Sequence, residues 1–196
     1  LLVDELSDVR QALSRPAVRL EDPSLRRAAV AAILSPGRKL WFIRRAQRAT
    51  DPWSGHVAFP GGREEPGDGD LLQTAVRETW EETGLDLGRA EILGTLDDLQ
   101  TRPVRTMLIR PFVFALDHEP VPRTTDEVVA YHVATLDPLL AGHGRGPMTW
   151  PLSGVGFTMP RVDFDGVRLW GLTLQVVDDL LDRIDGRGQG LVRPSV

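Results

Sequence analysis

Glu78, Glu81 and Glu82 lie within AVRETWEETGL, the stretch from Ala75 to Leu85. Their spacing, i, i+3 and i+4, projects three carboxylates from one face of a helix. In water each like-charged pair costs a helix about 0.2–0.5 kcal/mol, so the arrangement is unfavourable alone. A hard divalent cation reverses that sign. Mg²⁺ prefers oxygen ligands, keeps several waters, and suits a site shared between carboxylates and substrate phosphates. Ligands on one rigid helix also hold their geometry better than ligands on a loop. Just ahead stands AFPGGREEPGD, where Gly61 and Gly62 let the backbone turn tightly and bring carbonyls or amides close to a ligand. Arg77 is placed to pair with a neighbouring carboxylate and fix its orientation. A Glu-rich helix face alone is usually just solvated, and a GG pair alone usually marks a turn. Together, at this spacing, they point to a diphosphate held beside its metal.

These residues need a helix with a buried back. Leu71, Leu72, Ala75, Val76 and Thr79 supply it, falling on one face between Asp70 and Thr83. Asp68 or Asp70 can cap the start, and Gly84 can supply the left-handed residue at the end. Strands are expected at Ala28–Leu34 and Leu40–Ile43, joined as a buried hairpin through SPGR. Further strands are expected at Val57–Phe59, Ile92–Leu96, Met107–Leu116, Val128–Val133, Phe157–Pro160 and Val167–Trp170. Pro111 suggests that its strand lies near an edge or a bulge. GHGRGPMTW reads as a loop. Helices are expected at Leu6–Leu13, capped by Ser7 or Asp4, and at Leu172–Ile184. This order suggests an α+β or α/β/α sandwich. It divides into an N-terminal helix and lead-in over 1–27, one domain over 28–184, and a flexible tail over 185–196.

Composition narrows the function. The 196 residues, 41% hydrophobic and 26% charged, suit one ordinary globular domain. A net charge of −5 argues against general nucleic-acid affinity, which needs a basic stripe. With no cysteine there is neither a disulfide framework nor a thiolate zinc site. No apolar run approaches the roughly 18–20 residues that span a bilayer. LLVDELSDVRQALSR lacks the basic-then-apolar order of a secretory signal. A soluble cytoplasmic protein is expected.

GGREEPGDGDLLQTAVRETWEETGL resembles the Nudix box: a glycine, five residues, a glutamate, seven residues, then REUxEExGU with U aliphatic. Arg77, Glu78, Glu81, Glu82, Gly84 and Leu85 match its second half by position. Gly62 stands one residue farther from Arg77 than the pattern has it, and Thr79 takes the first aliphatic position. Gly69 falls where the first glutamate belongs, flanked by Asp68 and Asp70. The longer form, opened by SGHVAFPGG, is similar to the coenzyme A pyrophosphatase branch. RLWGLTLQVVDDLL and TTDEVV are similar to segments of that branch, while DPW departs from it. The resemblance spans Ala28 to Leu181.

The resemblance implies a Nudix-type α/β/α sandwich with a central mixed sheet. It also implies a hydrolase of nucleoside diphosphate derivatives, in which water attacks one phosphorus and the other phosphate leaves. By position, Glu78, Glu81 and Glu82 would bind Mg²⁺ or Mn²⁺, with a Gly61 or Gly62 carbonyl as a further ligand. Glu78 or Glu127 would be the general base. Arg44, Arg45, Arg48 and Arg63 could clamp phosphates, Arg44 foremost. Coenzyme A or an acyl-CoA is the expected substrate, with ADP-ribose, dinucleotides and nucleoside triphosphates as alternatives. A non-catalytic nucleotide-sensing module is the competing class, and it would be marked by loss of one of the three glutamates. The expected partner is a small molecule rather than nucleic acid or membrane, and the expected assembly is a homodimer.

Overall fold

RRAAVAAILS, Arg26–Ser35, is apolar on both faces and forms β1, the strand around which the main sheet is built. It pairs in parallel with β7, Met107–Ala115, from Arg26↔Met107 to Leu34↔Ala115. Ala29, Ala31 and Ile33 enter one core cluster, and Ala32 and Leu34 enter the other. A continuous apolar run is the expected signature of a parallel strand buried on both sides. The computed structural model describes residues 5–47, 55–101, 106–152 and 155–186. Asp4, Arg48, the DPW stretch and the chain from 187 onward lie outside them.

β2, Lys39–Arg45, returns antiparallel to β1 but pairs with it only near the turn, from Ile33↔Trp41 to Ser35↔Lys39. Beyond that the two strands splay, and a short segment fills the wedge. β3, Val57–Ala58, pairs with β2, and β4, Gly61–Arg63, pairs with β1. Gly61 has φ 149°, and a Cβ there would overlap the Ala29 carbonyl oxygen, so only glycine fits the wedge. β8, Val128–Thr135, lines the far side of β2. β5, Glu91–Thr95, and β6, Leu99–Gln100, line the far side of β7.

α1, Ser7–Leu13, and α4, Gly171–Ile184, share one core with the sheet through Leu6, Val9, Leu13, Leu174, Val177 and Leu181. A smaller sheet of β9, Arg145–Leu152, β10, Val155–Phe164, and β11, Val167–Trp170, lies on that side; Phe164 meets Phe42 at 5.4 Å. α2, Leu71–Thr83, covers the opposite face, with Leu71 and Ala75 against Ile33, Phe112 and Phe114. α3, Leu136–Leu140, follows β8. The architecture is the expected mixed sheet between helical layers. Among the described residues no helix is long and apolar enough to cross a membrane.

Four details differ from the sequence reading. Pro111 lies on an interior strand rather than an edge, because β7 is paired on both sides; the bulge alternative is met by the register shift between Ile92 and Gly94 on neighbouring β5. The Pro111 carbonyl accepts the Leu96 N–H at 3.1 Å, so the proline's missing N–H faces the gap between β5 and β6. GHGRGPMTW holds most of β9, an outer strand where Pro147 and Pro151 cost little ladder bonding. Gly61–Arg63 pairs with β1 as a short strand, whereas in sequence the double glycine reads as a tight turn. Ser7 does not cap α1, whose N-cap position is Leu6 without a side-chain bond, and the other candidate, Asp4, lies outside the described residues.

Candidate active site

α2 starts where Asp70 accepts the Gln73 N–H at 2.9 Å and ends at Gly84, φ 70°, whose N–H bonds Trp80 O. Its three glutamates meet different surroundings. Glu82 is 4% exposed and accepts the Gly61 N–H at 2.9 Å, while Arg45 Nη1 stands 3.9 Å from its other oxygen. The Glu78 carboxylate is 17% exposed and lies against Gly62 so closely that a Cβ there would overlap it. Glu81 is 55% exposed. The splayed strands thus lay the double glycine directly onto the carboxylate face of the helix.

Arg77 ties the cluster together. Its Nε and Nη2 donate to the two oxygens of Asp68, each at 2.9 Å, and Nη2 also donates to Arg63 O at 3.0 Å. Its Nη1 donates to Glu78 at 3.0 Å and to Glu81 at 3.1 Å. Asp68 further accepts the Thr74 hydroxyl and the Glu65 N–H. Asp68 is therefore the partner of Arg77, and Asp70 alone is the cap. Sequence reading considered Asp68 only as a cap; its place beside the box position filled by Gly69 was the available signal.

These contacts set the charges. Hydrogen bonds from Arg77 hold the Asp68 carboxyl well below the usual carboxylate range. Burial raises Glu78, against the pull of the Arg77 hydrogen bond and charge. Burial pushes Glu82 up to about 7; the Gly61 N–H and Arg45 oppose it, and Glu78 and Glu127 add to the push.

The arginines separate. Arg45 faces Glu82, whereas Arg44, foremost in the sequence reading, donates to Gly55 O at 3.5 Å and places its charge beside His132. A register shift between Arg44 and Arg45 against β8 accompanies the divergence. The structure thus does not bring Arg44 to the glutamates. Arg63 is exposed on β4, with its carbonyl engaged by Arg77. Glu127 is exposed just before β8, near enough for its charge to act on Glu82.

Among the described residues no three His, Asp or Glu side chains converge as a metal cage. Arg77 draws Glu78 and Glu81, and Gly61 holds Glu82. The donor set still fits a hard cation. It is all oxygen, and Glu82 is buried with its charged form disfavoured, which a divalent ion would offset.

The NUDIX domain profile matches residues 24–149. Mitochondrial coenzyme A diphosphatase NUDT8 of Mus musculus is 30% identical over 195 residues, covering 95% of this chain and 90% of that protein. The Homo sapiens protein of the same name is 30% identical over 141 residues, covering 71% of this chain and 60% of that one. Among solved structures, the MutT protein from Methanosarcina mazei Go1 superimposes with TM-score 0.53 at 18% identity, covering 88% of this chain and 100% of that one. A MutT/nudix family protein from Enterococcus faecalis gives TM-score 0.51 at 16% identity, covering 95% and 69%. These two likenesses establish a shared fold. With the profile spanning most of the chain and the box residues gathered at the glycine wedge, the chain belongs to the NUDIX domain family of hydrolases.

Proposed function

We propose that this chain is a metal-dependent diphosphohydrolase acting on a nucleoside diphosphate derivative, with coenzyme A or an acyl-CoA as substrate. The observation that carries the reading is the intact set of three glutamates on one helix, with Glu82 on the Gly61 N–H, Glu78 against Gly62, and Glu81 joined to Glu78 through Arg77. A sensing module has no need of all three. The FPGG spacing and the likeness to proteins named as coenzyme A diphosphatases support the substrate.

Glu78, Glu81 and Glu82 would hold Mg²⁺ or Mn²⁺, with a Gly61 or Gly62 carbonyl. When bound, the cation offsets phosphate charge and acidifies water. Arg77 orients Glu78 and Glu81, and Asp68 fixes Arg77 from behind. Arg45, 3.9 Å from Glu82, is the guanidinium on this side of the sheet suited to phosphate oxygens. Water forms a bond to one phosphorus as the bridging oxygen leaves with the other phosphate, and Glu127 takes the water's proton. Glu127, exposed and near enough for its charge to act on Glu82, is assigned that role, and Glu78, oriented by Arg77, is kept as a metal ligand.

The test is a hydrolysis panel with Mg²⁺ and Mn²⁺, covering CoA, acyl-CoA, ADP-ribose, NADH, diadenosine polyphosphates and nucleoside triphosphates. CoA or an acyl-CoA is expected to turn over fastest. Glu82→Gln is expected to lose about 10²–10³-fold in kcat. Full activity of Glu82→Gln at saturating Mg²⁺ sinks the metal assignment. Inert CoA beside active ADP-ribose sinks only the substrate. Binding without turnover across the panel favours the sensor.

A further inference from the structure

The loop that carries Glu127 is fastened to the end of α2. The last turn of a helix leaves carbonyls without helical partners, and here the loop supplies them. Arg123 N–H donates to Thr83 O at 2.8 Å, and the Thr125 hydroxyl donates to Glu82 O at 3.2 Å. The Arg123 guanidinium crowds Gly84 and lies 5.5 Å above the Trp80 ring, while Tyr131 OH donates to Arg123 O.

Thr125 does more than close the helix. The same hydroxyl accepts the Glu127 N–H at 3.3 Å and the Val128 N–H at 3.2 Å, so its one donor and both acceptor positions are used. Thr125 N–H donates to Val128 O at 3.0 Å, and the Glu127 carbonyl accepts Ala46 N–H at 2.7 Å. One oxygen atom therefore joins the backbone of Glu82 to the backbone of Glu127. A plain turn-capping threonine would need the two local acceptances; the bond to Glu82, 43 residues away, is additional.

We propose that Thr125 is a positioning residue, which holds the Glu127 carboxylate in register with the glutamate helix through its hydroxyl. The inference rests on the reading of Glu127 as general base. Misplacing such a group by about 1 Å can cost 10²-fold in rate, whereas substrate binding, governed by other groups, changes little.

The experiment compares kcat and KM of Thr125→Val, Thr125→Ser, Glu127→Gln and the Thr125→Val/Glu127→Gln double variant, with melting curves. The probe is CoA with Mg²⁺, or the panel compound that turns over fastest. Thr125→Val is expected to lose roughly 30-fold in kcat with KM within about threefold, and Thr125→Ser to recover most of it. In the Glu127→Gln background the valine should cost nothing further. Thr125→Ala removes the same hydroxyl with less bulk if the valine does not fit. An unchanged kcat in a folded Thr125→Val or Thr125→Ala enzyme overturns the inference. So does an undiminished cost in the Glu127→Gln background, or an equal loss in Thr125→Ser. Wild-type kcat in Glu127→Gln removes the base reading and the inference with it. A crippled Glu127→Gln beside an untouched Thr125→Val removes the inference alone.

Discussion

Asp98 lies against the Arg110 guanidinium, with contacts of 2.8 and 2.7 Å, and accepts the Leu20 N–H at 3.0 Å. Burial pushes its carboxyl up, but the Arg110 bonds, the Leu20 N–H and the Arg19 charge outweigh it and hold the group below its ordinary 3.8. The ionised form therefore favours the fold. That stabilisation is complete above the ordinary carboxyl range and drains away as pH falls through the lower, folded value. Urea unfolding should show Asp98→Asn weaker than the parent by roughly 1.5–3 kcal/mol near neutral pH, with the gap closing in strong acid. An equal gap at neutral pH and in strong acid would contradict this. Such a pair is invisible in sequence, because sheet register brings Asp98 to Arg110. Glu78, Glu81, Glu82 and Arg77 were legible because their spacing is local to one helix. Arg45 could not be ranked above Arg44, since a register shift decides which of them reaches Glu82.

The glycine wedge separates stability from catalysis at neighbouring positions. A side chain at Gly61 meets the Ala29 carbonyl and a φ of 149°, both backbone constraints. Gly61→Ala should therefore lower stability by about 1–3 kcal/mol from conformation alone, with overlap adding to it. A side chain at Gly62 meets the movable end of Glu78. Gly62→Ala should keep nearly the parent melting temperature and lose about tenfold or more in kcat. Melting curves and rates on both variants check this, and the reverse order would contradict it. Element by element, α2 was legible because Asp70 and Gly84 mark its ends chemically. β9 and the interior place of Pro111 were not, since both depend on which neighbour strand is missing or broken.

Across the molecule, Arg183 gathers distant segments. It donates to Asp179 at 3.2 Å, to Asp97, and to Arg15 O at 3.2 Å, and is itself 8% exposed. Lead-in, sheet edge and final helix meet at that one side chain. Arg183→Met leaves two carboxylates without it and should cost about 3 kcal/mol, read as an earlier denaturant midpoint with one cooperative transition. An unchanged midpoint would show that the network carries no stability. The parallel register of β1 on β7 joins residues roughly eighty positions apart, and pairing over such separations is slow. At about 5–20 residues per second of synthesis, one edge of RRAAVAAILS waits several seconds for its partner. The strand that floors the glycine wedge is thus also where a nascent chain is most open to aggregation.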